Sequence, residues 1–424
     1  MKNCLALVLA GGRVDELNLL TLSRPKSAVP FGGMYRVIDF CLSNLMNSGI
    51  EKIGVVSQYR SLALVNHIGV GSWWDFVGRD RGATMLLPST KHLGGDWYSG
   101  TANAIYQNIE FIKEKNPELV LILSGDHIYK MDYASMATFH YDMDADLTVA
   151  FGAIDPAQSN RFGVADIGDE MHGYGGVLKS YLEKPEREQQ PWASLTIYMF
   201  KPEALYRALE ENSGENSHEF GRDIIPAMLK KHKVCGYKFH DYWGYTRTIE
   251  EYWQTSMDLL KPDSPIDLEK WNIRTNLDHD KLRDRAPARI RSTAELNNSF
   301  VYNGCDIAGK IENSILFPGV KVGEGAYIKD SIIFYDSVIC ENACITKTVA
   351  DFDVVVEKNS VIGSNNSKTT KQDSSSQLTS GISVIGKGTV VPQNTIIGSN
   401  CSISPSLKTT DFKQKKYKSG TVIE

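Results

Sequence analysis

From about Asn298 onward the sequence repeats every six residues, and no other feature constrains the fold of this 424-residue chain as tightly. Short β-branched stretches punctuated by Gly, Asn and Asp replace all helical periodicity. Val322, Ile328, Phe334 and Cys340 fall on one six-residue series, and Val320, Ala326, Ile332, Val338 and Cys344 on another. The repeat resumes as Val384, Val390 and Ile396, accompanied by Ile385, Val391, Ile397 and Ile403. Hexads with one small or aliphatic core position per side predict a left-handed parallel β-helix, each turn being three short strands stacked on the turn before. The interruption from Gly363 to Gly381 is rich in Ser, Thr, Lys, Asn and Gln and buries too little apolar area to order itself, so it is expected to be a mobile loop. The last coil must be covered by another surface, which points to packing against a neighbouring domain or subunit.

The first ~250 residues have a different rhythm, short aliphatic runs alternating with longer helical patterns, as in an α/β domain with a mostly parallel sheet. Leu5 to Leu9, Ile53 to Ser57, Leu119 to Leu123 and Leu147 to Phe151 read as buried strands. Between the second and third, Ile105, Ile109 and Ile112 mark one apolar face of a helix over Asn103 to Lys115. The expected organisation is a doubly wound domain over residues 1–290 followed by the β-helix over 291–424.

With 42% hydrophobic and 23% charged residues the chain is long enough for each domain to bury its own core. A net charge of −5 argues against a nucleic-acid or anionic-membrane partner, either of which would demand a basic face. Cys4, Cys41, Cys235, Cys305, Cys340, Cys344 and Cys401 are an odd set without a Cys-x-x-Cys, so buried free thiols are expected. The apolar run from Met1 to Ala10 is too short to span a bilayer and lacks the layout of a signal peptide, and a cytoplasmic location is expected.

The first strand ends in Leu9-Ala10-Gly11-Gly12-Arg13, a glycine turn that allows backbone N–H groups to approach phosphate. Arg24 and Lys26 follow in Arg24-Pro25-Lys26-Ser27, two cations whose position close behind that turn suits a triphosphate. Neither G-x-G-x-x-G nor G-x-x-x-x-G-K-[ST] occurs here, which disfavours a nicotinamide enzyme or a P-loop NTPase. The run Leu119 to Leu123 leads into Ser124-Gly125-Asp126-His127, so Asp126 stands just past the C-terminal end of a buried strand, where ligands bind in open α/β sheets and where an acid suits magnesium.

Phe31-Gly32-Gly33 through Phe40, Leu42-Ser43-Asn44 with Asn47-Ser48-Gly49-Ile50, Trp97-Tyr98-Ser99-Gly100-Thr101-Ala102, Ser124-Gly125-Asp126-His127-Ile128-Tyr129-Lys130, Phe162-Gly163-Val164, Glu183-Lys184-Pro185 and Phe220-Gly221-Arg222-Asp223 occur in one order. In that order the chain resembles bacterial glucose-1-phosphate adenylyltransferases over nearly its whole length. The resemblance implies attack by glucose 1-phosphate on the α-phosphorus of ATP, giving ADP-glucose, a precursor of glycogen, and pyrophosphate. Such a displacement needs positioning and charge neutralisation rather than a protein nucleophile. The resemblance further implies Mg²⁺ at Asp126, catalytic roles for Asp126 and Lys26, and nucleotide contacts from Leu9, Ala10, Gly11, Gly12, Arg13 and Lys26. Glucose 1-phosphate contacts carry over to Tyr98, Gly163, Glu183, Lys184 and Ser194. A homotetramer is implied as well.

Two departures stand out. Where the family's glycine loop continues Gly-Thr-Arg, this chain has Val14-Asp15-Glu16, and the family's second metal-binding aspartate falls on Tyr245 within Tyr242-Trp243-Gly244-Tyr245-Thr246-Arg247-Thr248. On one reading Asp15 or Glu16 takes over part of the metal shell and Arg247 supplies the lost cation; on the other, activity has decayed and the chain is a regulatory paralogue. Another NTP or hexose 1-phosphate is a further alternative. Arg36 matches a basic effector-binding position, whereas Ser23, Pro30 and Glu114 stand where Lys, His and Arg are expected. An acyltransferase activity of the β-helix is disfavoured, because no histidine follows His279 to act as general base.

Overall fold

The computed structural model describes residues 1, 3–12, 15–79, 81–88, 97–186, 190–364 and 378–424. The chain divides into two compact units that interleave along the sequence. The first comprises Met1–Gly12, Ile38–Trp243 and Trp271–Arg274; the second comprises Arg13–Val37, Gly244–Lys270 and Thr275–Glu424.

The first unit is built on a nine-stranded sheet. Its strands are β1 (Cys4–Leu9), β2 (Lys52–Val56), β3 (Gly82–Leu86), β4 (Leu119–Ser124), β5 (Leu147–Ala153), β6 (Gly163–Ile167), β7 (Gly175–Glu183), β8 (Trp192–Phe200) and β9 (Val234–Phe239). Their spatial order is β3-β2-β1-β4-β8-β5-β9-β7-β6. The four strands read from the sequence all form. Strands β3, β2, β1 and β4 pair in parallel, as do β5 and β9. The remaining pairs are antiparallel: β8 runs opposite to both β4 and β5, and β7 opposite to β9 and β6. The sheet is therefore parallel on one side and mixed on the other. Between β6 and β7 lie only Gly168 to Tyr174, shorter than the dozen or so residues that a parallel crossover needs.

The helix expected over Asn103 to Lys115 is two helices, α1 (Thr101–Tyr106) and α2 (Ile109–Lys115). Asn108 separates them: its Nδ2 donates to the Ala104 carbonyl at 2.8 Å and to Tyr98 Oη at 3.1 Å, a local alternative to helical bonding. Ile105 and Ile112 are buried as the apolar stripe requires, while Ile109 is half-buried.

The β-helix occupies most of the second unit and begins with the strand Arg289–Ile290. Three parallel sheets of two- to four-residue strands run along it, the architecture of the left-handed hexapeptide β-helix. Lys321 pairs with Val338 and Val338 with Val355, so a coil here takes 17 residues, one fewer than three hexads. The core positions are accordingly Val322, Ile328, Ile333, Ile339, Ile345, Ala350, Val356 and Ile362. The six-residue series assigned through Phe334 and Cys340 slips by one residue at that shortened side. Phe334 points outward into an aromatic cluster with Phe317 and Phe352, and Cys340 is half-buried. After the interruption Ile385, Val391, Ile397 and Ile403 are the core series, as their spacing predicts. The interruption itself falls largely on residues 365–377, outside the described residues.

Small residues line the coil two positions before the aliphatic ones: Ala326, Ser331, Ser337, Ala343, Thr348, Val354 and Ser360 are all buried. Their hydroxyls are satisfied along the axis. Ser331 Oγ donates to the Lys329 carbonyl at 2.6 Å and accepts from the Thr348 backbone N–H at 3.1 Å one coil later. At the corners the chain turns through left-handed backbone at Asn313, Asp330, Asp336, Asn342, Asp353 and Asn359, which explains the Asn and Asp punctuation.

Two excursions from the N-terminal half belong to this unit. Residues 15–37 and α3 (Ile249–Asp258) pack on the coil's outer face through Phe31, Tyr252 and Phe334. Helix α3 starts with a reciprocal capping box, the Glu251 backbone N–H donating to Thr248 Oγ1 and the Thr248 N–H to the Glu251 carboxylate. All seven cysteines are free, and five of them are buried. Among the described residues no helix is long and apolar enough to cross a membrane.

The slip of the hexad frame is directly testable. Ile339→Ala should cost about 2–5 kcal/mol of stability, the loss of a packed core side chain. Cys340→Ala should cost less than about 1 kcal/mol. Urea unfolding of the two variants checks this; equal losses would put Cys340 back on the core face.

Candidate functional site

The parallel strands of the first unit end at two glycine turns. The Ala10 N–H donates to the Val56 carbonyl at 2.9 Å, and the Tyr59 N–H to the Gly11 carbonyl at 3.3 Å, which fixes the loop after β1 against the end of β2. A Cβ on Gly11 would lie 2.9 Å from Gln58 N, so only glycine allows that approach, whereas the space around Gly12 is open. The Gly125 N–H donates to the Leu9 carbonyl at 3.0 Å, and a Cβ there would lie 2.8 Å from Val8 Cγ1. Leu9, Ala10, Gly11 and Gly12 thus form a rigid turn with Gly12 exposed. Arg13, and Val14 after it, lie outside the described residues.

Asp126 follows β4 with its carboxylate partly exposed. Its Oδ1 accepts from Ser124 Oγ and lies 3.2 Å from His127 Nε2. His127, to which sequence reasoning gave no role, is buried and set edge-on to Trp243 with ring centroids 5.5 Å apart. It positions Asp126. Among the described residues no group of three His, Cys, Asp or Glu side chains could hold a metal by itself. A partly exposed carboxylate nonetheless fits a divalent cation such as Mg²⁺, which commonly takes one or two carboxylates and completes its shell with substrate phosphates and water.

A second group of polar side chains converges where β6, β7 and β8 meet. Gly163 pairs with Glu183 across β6 and β7, and Ala193, next to Ser194, pairs with Val164. Tyr181, two residues before Glu183 and therefore on the same face of β7, donates its hydroxyl to Glu183 Oε2 at 3.0 Å. Burial pushes the Tyr181 hydroxyl well up, with further contributions from Tyr198 and Glu183, so it stays protonated and remains a donor. Ser194 hydrogen-bonds both Tyr181 and Tyr198. Two glycines keep the place open: a Cβ on Gly163 would lie 1.9 Å from Tyr181 Oη, and one on Gly221 would lie 2.3 Å from Glu183 Oε2.

Gly163, Glu183 and Ser194 are thus gathered around Tyr181. Lys184 follows in left-handed backbone (φ 49°), its N–H donating to the Phe162 carbonyl at 2.9 Å while its side chain is exposed. Tyr98 is fixed by other partners, its hydroxyl accepting from Asn108 and its N–H donating to Gln58 Oε1 at 2.8 Å. Sequence reasoning missed Tyr181 and gave Gly221 no role; the alternation of a strand points to the first, and the Phe220-Gly221-Arg222-Asp223 segment contains the second.

The second unit holds Lys26, and its two family departures meet there. Lys26 is buried, with Nζ 5.1 Å from the centre of the Tyr245 ring. Of the two cations following the glycine turn, Arg24 is committed elsewhere: its Nη2 donates to both carboxylate oxygens of Asp351 at 2.7 Å, and both side chains are buried. Glu16 Oε1 accepts from Arg247 Nε at 3.0 Å, so the acid and the base that differ from the family answer each other directly. Arg36 likewise has a partner in its own unit, Nη2 lying 2.7 Å from His279 Nε2.

A Rossmann-like half-sheet with glycine turns at its strand ends, an acid past β4 and a β-helix after it define a sugar-nucleotide type of nucleotidyltransferase. The nucleotidyl transferase family model matches residues 5–262, and a model described as GlmU-like, C-terminal hexapeptide matches 286–385. The chain is 41% identical over 430 residues to a glucose-1-phosphate adenylyltransferase of Pseudothermotoga lettingae, covering 100% of this chain and 99% of the relative. It is 45% identical over 338 residues to one of Clostridium perfringens, covering 78% and 84% respectively, and 39% identical over 407 residues to one of Desulforamulus reducens, covering 95% and 98%. The chain belongs to the glucose-1-phosphate adenylyltransferase family.

Proposed function

We propose that this chain makes ADP-glucose and pyrophosphate from ATP and glucose 1-phosphate, supplying a precursor of a storage polysaccharide. The observation that carries the reading is the Glu183 carboxylate, held by Tyr181 between two positions, 163 and 221, where only glycine leaves room. A carboxylate fixed in that way accepts hydrogen bonds from sugar hydroxyls, and Ser194 adds a further hydroxyl. The exposed Lys184 ammonium next to it pairs with the sugar phosphate and directs its oxygen toward the α-phosphorus. Tyr98 and Gly163 complete the sugar-phosphate contacts.

In the same reading Leu9, Ala10, Gly11, Gly12, Arg13 and Lys26 bind the nucleotide, the turn through backbone N–H groups and Lys26 through charge. Asp126 holds the Mg²⁺, whose role when bound is to neutralise developing charge on the phosphates. His127 and Ser124 keep the Asp126 carboxylate oriented. Residues 1–290 carry the chemistry, and residues 291–424 serve assembly. The protein is cytoplasmic and works as a homotetramer without nucleic-acid or membrane partners.

A second reading, a weakly catalytic or regulatory subunit, is favoured by Tyr245 at the position of the family's second metal-binding aspartate. Its ring engages Lys26, and it offers no carboxylate to a metal.

The substrate assignment is tested with a panel of five NTPs against several hexose 1-phosphates, in which ATP with glucose 1-phosphate should be fastest; a faster pair of another kind would replace the assignment. Asp126→Ala should lower turnover by about 10²–10³ while leaving the far-ultraviolet circular dichroism unchanged. More than half the activity remaining would mean that the metal lies elsewhere. Lys184→Ala should raise KM for glucose 1-phosphate more than it lowers kcat, and a KM change confined to the nucleotide would contradict its role. Light scattering of the full chain should give about four times 47.2 kDa; a monomer would remove the tetramer.

A further inference from the structure

The acid that this chain carries in its glycine loop has a definite destination. Glu16 Oε1 lies 3.0 Å from both Nε and Nη2 of Arg247. Arg247 also hydrogen-bonds Tyr245, whose ring faces Lys26 Nζ. One patch of the second unit therefore holds two cations, an aromatic face and a carboxylate engaged with the more exposed of the cations. The Glu16 and Arg247 side chains are 45% and 39% exposed, so water screens their attraction and the pair is weak. A planar guanidinium binds phosphate with the same fork geometry it offers a carboxylate, and a phosphate of a polyphosphate brings more charge than one carboxylate does.

We propose that Arg247 grips the polyphosphate of the nucleotide, or pyrophosphate, and that Glu16 holds this guanidinium in reserve until the phosphates displace it. Glu16 is then a positioning residue and a built-in competitor: it keeps Arg247 near the Lys26–Tyr245 pair and lowers the affinity for polyphosphate. The device suits a reversible reaction in which pyrophosphate must leave, because the returning carboxylate takes back the cation as the anion departs. The identity of the ligand rests on the adenylyltransferase reading; the competition between Glu16 and phosphate does not.

The test is a double-mutant cycle by isothermal titration calorimetry on the full-length protein, with ATP and with inorganic pyrophosphate, each with Mg²⁺, as probes. Glu16→Gln should tighten pyrophosphate binding about two- to five-fold at low salt, and less at high salt. Arg247→Gln should weaken it about ten-fold. On the Arg247→Gln background, Glu16→Gln should change the affinity less than about 1.5-fold, because the competition has lost its object. An equal tightening with and without Arg247 would show simple charge repulsion and overturn the proposal. So would weaker binding in Glu16→Gln alone, which would make Glu16 a metal ligand. Wild-type protein that binds neither probe would contradict the adenylyltransferase reading itself, whereas wild-type binding with a flat cycle would contradict the Glu16–Arg247 competition alone.

Discussion

The buried ion pair between Arg24 and Asp351 ties the N-terminal excursion of residues 15–37 to the β-helix. The guanidinium donates to both oxygens of Asp351 at 2.7 Å, and its Cζ lies 4.4 Å from the centre of the Phe352 ring. Removing one member of such a pair leaves a buried charge without its partner and typically costs about 3–5 kcal/mol. Around it Phe317, Phe334, Tyr335 and Phe352 form an outward aromatic seam on the coil, and Tyr252 of α3 joins that seam while its hydroxyl donates to the Pro30 carbonyl at 2.5 Å. Tyr302 of the coil donates to the Gly32 carbonyl, fixing the same excursion further along.

This fastening also fixes the segment that holds Lys26 and Glu16, the partners of Tyr245 and Arg247. Lys26 sits two residues beyond Arg24, and Glu16 precedes both. The β-helix is the platform on which the Lys26 segment stands, held there by Asp351 and Tyr302. The two compact units alternate along the sequence.

Much of this was legible in the sequence, for reasons that particular residues make plain. The hexads announced the β-helix because inward residues must recur at each side of a coil. The frame slipped because one side is a residue shorter, and the buried Ser331 and Ser337 look like loop residues until their hydroxyls are seen accepting backbone N–H groups from the next coil. The parallel strands were legible as aliphatic runs, but the antiparallel placement of β8 between β4 and β5 was not, since a buried strand reads alike in either direction. In the site, Glu183 and Ser194 followed from the family resemblance, whereas His127, although inside the Ser124 to Lys130 motif, and Tyr181, which is in none, act on other side chains and were given no role. Arg24 was read with Lys26 as one of two cations suited to a triphosphate, because its charge was visible and its partner, more than three hundred residues away, was not.

This chain remains an enzyme despite Tyr245 and the acidic glycine loop. The most direct measurement is pyrophosphate release by the purified protein alone, incubated with Mg²⁺, ATP and glucose 1-phosphate. Release that requires all three components and yields an equal amount of ADP-glucose is the predicted result. No release from the folded protein alone, with activity appearing only when a second subunit of the family is added, would contradict it and make this chain a regulatory partner.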